Sequence, residues 1–124
     1  DYEMSQRVLA VDPFVSGLSA NAKAQRATAA LALAQTRLQN CARQNGESLL
    51  ETPPRTDLQI LWGQFQRTQM DWTERDLERF PERLDASMEF VFGVENAAAK
   101  SCGEPQGDDR ALWLLGRSTS VVNR

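Results

Sequence analysis

The stretch ANAKAQRATAALALAQTRLQNCARQ, Ala20 to Gln44, decides the fold class. Within it Ala20, Ala24, Ala27, Leu31, Ala34, Leu38 and Cys41 recur at alternating spacings of four and three. That is a heptad-type stripe, the signature of one buried face of an α-helix. Ser19 is placed to cap its start, and Asn45-Gly46 is a stop signal. Alanine has the best helix propensity but removes little area from water. A helix this rich in alanine therefore predicts close approach to neighbours that supply the bulk.

The bulk follows in the chain. Glu47 to Arg55 reads as a connector stiffened by Thr52-Pro53-Pro54, after which Thr56 or Asp57 caps a helix from Leu58 to Trp72. Its apolar residues are Leu58, Leu61, Trp62, Phe65 and Trp72, so this helix is expected to face the alanine helix. Thr73-Glu74-Arg75-Asp76 resembles a capping box and starts a short helix through Phe80, which Pro81 ends or redirects. Asp85 caps a further helix, Ala86 to Ser101, with the stripe Met88, Val91, Phe92, Glu95, Ala98 and Cys102. At the flanks, a short helix from Asp1 to Val11 stops at Asp12-Pro13. A last helix runs from Arg110 to Gly116, with Leu112 and Leu115 as core candidates. No segment alternates with period two between turn signals. The 124 residues thus predict a single all-α domain, an irregular helical bundle or stacked helical hairpins, with one intramolecular disulfide.

Composition narrows the chemistry. With 41% hydrophobic and 25% charged residues the chain has the make-up of a soluble globular domain, and no apolar run approaches the roughly 20 residues of a membrane span. A net charge of −3 gives no electrostatic pull toward nucleic acid. The chain contains no histidine, which removes the usual general base, the Ser-His and Cys-His pairs and histidine-containing zinc sites. No phosphate loop, dinucleotide fingerprint or nucleophile elbow occurs. The expectation is a protein without catalytic activity, cofactor or metal.

The cysteines, Cys41 and Cys102, are too far apart in sequence for a redox motif. Each falls in the last turn of a predicted helix, where two helix ends can meet. The alternative is two buried free thiols. A disulfide joining these ends requires the two helices to run parallel, with the Leu58–Trp72 helix antiparallel between them. Disulfides persist in oxidising compartments, and the start at Asp1 fits a processed chain, so a periplasmic or secreted location is expected. Arginine far outnumbers lysine, which occurs only as Lys23 and Lys100. Together with the abundant alanine this suits a GC-rich bacterial genome.

Candidate functional residues are few. Trp62, Phe65 and Trp72 form an aromatic group with Arg67 nearby in sequence. Residues of these types dominate binding hot spots, although aromatic side chains at helical spacing also build cores. Leu112, Trp113, Leu114 and Leu115 cannot all face inward from one short helix, so Trp113 is a candidate contact residue. Glu95 lies within an apolar stripe and needs an arginine partner if buried. The acidic cluster Asp71, Glu74, Asp76 and Glu78 reads as a solvated face with helix ion pairs.

Two resemblances bear on function. Arg7-Val8-Leu9-Ala10-Val11-Asp12-Pro13 resembles the end of a tetratricopeptide repeat, which closes on Ala-Leu-x-x-Asp-Pro. Ala111 to Gly116 resembles the Trp-x-x-Leu-Gly start of a first helix, compressed in spacing. No repeat at that family's roughly 34-residue period occurs. This resemblance implies a helical-hairpin adaptor that binds a protein or peptide partner. Met4-Ser5-Gln6-Arg7-Val8-Leu9-Ala10 is similar to a Leu-Ser-Gln-Arg-Ile-Ala segment of periplasmic four-helix sensor domains of the nitrate-sensor and pilus-chemoreceptor type, without that pattern's preceding Gly-x-Arg and Arg-Met. It implies a small-ligand sensing bundle, in which Arg7, Arg67 or an Arg–Glu95 pair would meet an anion.

Overall fold

A computed structural model describes residues 19–105. The expected helices at Asp1–Val11 and Arg110–Gly116, with Arg7, Trp113 and both resembling segments, lie outside the described residues. Among the described residues four α-helices follow one another: α1 (Ala20–Gln44), α2 (Asp57–Thr68), α3 (Glu74–Arg79) and α4 (Pro81–Cys102). A single 3-10 turn, Gln69–Asp71, separates α2 from α3. There is no strand among the described residues, so the all-α expectation holds.

The helix ends follow local chemistry. Ser19 Oγ accepts the Ala22 amide at 3.1 Å and opens α1. At its other end Gly46 N–H donates to Arg43 O and Glu47 N–H to Ala42 O, the paired bonds of a Schellman motif. That motif needs a left-handed residue, and Gly46 supplies it with φ +67°. Thr56 opens α2 in a reciprocal capping box with Gln59, and Thr73 opens α3 by accepting from the Asp76 amide.

Two boundaries differ from expectation. α3 stops just before Pro81, as expected, but α4 begins at Pro81 itself rather than after Asp85, because the missing N–H costs nothing at a first helical residue. Asp85 is therefore inside α4 and caps nothing, and Leu84 joins the core. The Leu58–Trp72 helix is shorter than its pattern suggested. It ends at Thr68 and tightens into the 3-10 turn, which carries Trp72 back onto the bundle.

The helix directions are as the disulfide requires. Asn21 Nδ2 donates to Glu78 Oε2 just before α4, Arg37 meets Glu95 midway, and Cys41 and Cys102 are bonded at the far end with Cα atoms 5.8 Å apart. Partners advance together along both segments, so α1 and α4 are parallel. Along α2 the order reverses: Leu61 lies over Gly93, and Phe65 stacks on Phe90 at 5.7 Å. α2 is therefore antiparallel to both.

It does not lie between them. The most extensive contact is α1 directly on α4, followed by α1 on α3, and α2 packs less extensively on each. The small side chains Ala24, Ala27 and Ala34 on the buried face of α1 suit close approach of a neighbouring helix, and α4 buries bulkier residues, among them Met88, Val91 and Val94. The stripe read in α1 is buried from Ala24 to Cys41; only its first member, Ala20, is exposed.

Candidate binding surface

The aromatic group is core. Trp62, Phe65 and Trp72 are all buried: Phe65 and Trp72 meet the Phe90 ring at 5.7 and 5.3 Å, and Trp62 meets Phe65 at 6.0 Å. Of the two readings, contact residues or core, burial favours core for Trp62, Phe65 and Trp72, and the stacking of Phe65 on Phe90 turns this face of α2 toward α4. Phe90, missing from the stripe read in α4, is the hub because α4 is buried on two flanks, against α1 and against α2. Arg67 is exposed on the outer side of α2. Its guanidinium folds back over Gly63, where a Cβ would stand 3.3 Å from Nη1.

Glu95 has the partner its position demands. Its side chain is 11% exposed, and its Oε1 lies 3.4 Å from Nη1 of Arg37, itself 34% exposed. The pair spans the α1–α4 seam and fixes register there. The acidic cluster is used locally: Asp76 meets Arg83 at 3.4 Å and accepts from Thr73 Oγ1, and Glu78 accepts from Asn21. Among the described residues no three side chains are grouped to hold a metal.

The most ordered polar feature was not singled out in the sequence. Gln59, only 2% exposed, uses its whole carboxamide to hold the connector between α1 and α2. Its Oε1 accepts from the Arg55 amide at 2.9 Å and the Thr56 amide at 3.2 Å. Its Nε2 donates to Ser48 O at 3.0 Å and to Glu51 Oε2 at 2.9 Å. All four hydrogen-bonding positions of the amide are thus occupied. The pattern Thr56-x-x-Gln59 signals the capping half of this arrangement; the contacts back to Ser48 and Glu51 arise only when the connector doubles over.

Glu51 and Arg55 complete the latch by pairing with each other. The hydrogen bond from Arg55 holds the Glu51 carboxyl below the usual carboxylate range, helped by that from Gln59 and by the Arg55 charge. Leu50 N–H donates to Ser48 Oγ, and Thr52 Oγ1 donates to Leu50 O. Leu49 packs against the core, so its neighbour Leu50 points away and is 79% exposed. The connector therefore presents one leucine from a backbone held on both sides. The remaining large exposed apolar residues are scattered: Leu33 on α1, Ile60 on α2 and Met70 on the 3-10 turn.

No helix among the described residues is long and apolar enough to cross a membrane. Compared with protein-family models, curated proteins and solved structures, the chain matches none.

Proposed function

We propose that this chain is an exported, non-catalytic helical domain that acts by binding a protein or peptide partner. The observation that carries the reading is the latched connector with Leu50 at its surface. Holding a loop in one conformation before binding reduces the entropy lost on association, and loops on rigid scaffolds are where contact residues concentrate. Glu51 and Arg55 neutralise each other beside Leu50, which leaves an apolar contact with a neutral rim. The disulfide supports a periplasmic or secreted setting, because such bonds persist in oxidising compartments.

The test is retention of envelope proteins on the immobilised full chain. A Leu50→Asp variant is expected to lower retention at least about tenfold, a cost of about 1.4 kcal/mol. Leu33→Asp and Ile60→Asp should leave it unchanged. Equal retention by all three variants refutes the connector as the contact.

A second reading, a small-ligand sensing bundle, draws on one different observation. Nη1 of Arg26 on α1 is buried and has no hydrogen-bond partner among the described residues. A buried guanidinium nitrogen without an acceptor is unusual, and an anion would satisfy it. If inorganic oxoanions raise the melting temperature of the wild type but not of Arg26→Met, this reading replaces the first.

A further inference from the structure

We draw no further inference here: the strongest candidate, the outward surface patch of α1 where Ala29, Ala32 and Leu33 are exposed beside Arg26 and Arg37, is a stripe of small residues that nothing in the structure shows to be covered.

Discussion

The two ends of the bundle are held by different physics. At one end the last turns of α1 and α4 are joined covalently by Cys41–Cys102, and Asn45 Nδ2 donates across to Ser101 O. The Schellman turn and the Gln59 latch then fasten the connector to the same end. At the other end α3 is tied down by one buried side chain, Leu77, by the exposed Asn21–Glu78 hydrogen bond and by the half-buried Asp76–Arg83 pair. Arg79 and Arg83 lie over the Phe80 ring at 5.4 and 4.5 Å, which adds cation–π attraction at a partly wet site. Surface ion pairs contribute little, on the order of 0–1 kcal/mol each. The first end is therefore specified by directed bonds and the second by burial.

Breaking the covalent bond has the largest expected effect. Reducing Cys41–Cys102, or replacing both cysteines with serine, frees a loop with a sequence separation of 61 residues. The loss is about 4 kcal/mol on the chain-entropy model. Urea unfolding with and without reductant measures it, and coincident curves would show that the disulfide end owes its order to packing alone.

At the opposite end, Leu77→Ala is expected to cost about 3 kcal/mol, because it empties a fully buried site. Hydrogen exchange should then rise in α3 and the first turns of α4 while the connector amides stay protected. Protection lost equally at both ends would mean that the molecule opens as one unit and that the contrast between its ends is not energetic.

The Gln59→Leu variant tests the latch itself. It leaves Ser48 O and the Arg55 and Thr56 amides without their partner, at about 2 kcal/mol. The disulfide remains, so the expected result is a folded protein with a connector open to proteolysis near Leu50. A connector as resistant as in the wild type would place its order elsewhere.

A smaller effect follows from Glu51. Its carboxyl titrates below its ordinary value in the folded protein, so the stabilisation is complete above the ordinary glutamate pKa and is lost as pH falls through the lowered one. Denaturant midpoints taken from neutral to strongly acid pH should fall more for wild type than for Glu51→Gln, and the two should converge once Glu51 is protonated. Parallel pH profiles would remove Glu51 from the latch.

The smallest effect is at Met70, exposed on the 3-10 turn, against Met88, buried on α4. Dilute peroxide should oxidise Met70 before Met88, as peptide mass mapping would show, and modification of Met70 should change stability by less than about 0.5 kcal/mol. Early oxidation of Met88 would indicate that the α1–α4 seam opens readily.

Local signals were legible to the residue in several places. Ser19 and Thr73 cap where a side-chain oxygen precedes a helical run, Thr56 rather than its alternative Asp57 does the same for α2, and Gly46 stops α1 where a left-handed residue is required. The parallel pairing of α1 and α4 was legible too, from two cysteines at two helix ends. The start of α4 was misplaced at Asp85 because the same missing N–H that makes Pro81 a stop for α3 is harmless at a first turn, so one residue both closes a helix and opens the next. Phe90 was missed because a single-stripe reading assumes one buried face, whereas α4 is buried on two.

What the amino-acid order determined alone is the set of helices and most of their ends, since capping, glycine stops and heptad spacing act within a few residues. The tertiary structure decided which helices touch. It set α4 rather than α2 against the alanine stripe and turned Trp62, Phe65 and Trp72 inward. It also brought Gln59 onto Ser48 and Glu51, eleven and eight residues earlier. Those outcomes depend on shape and burial summed over the whole bundle, and no short window of sequence contains that sum.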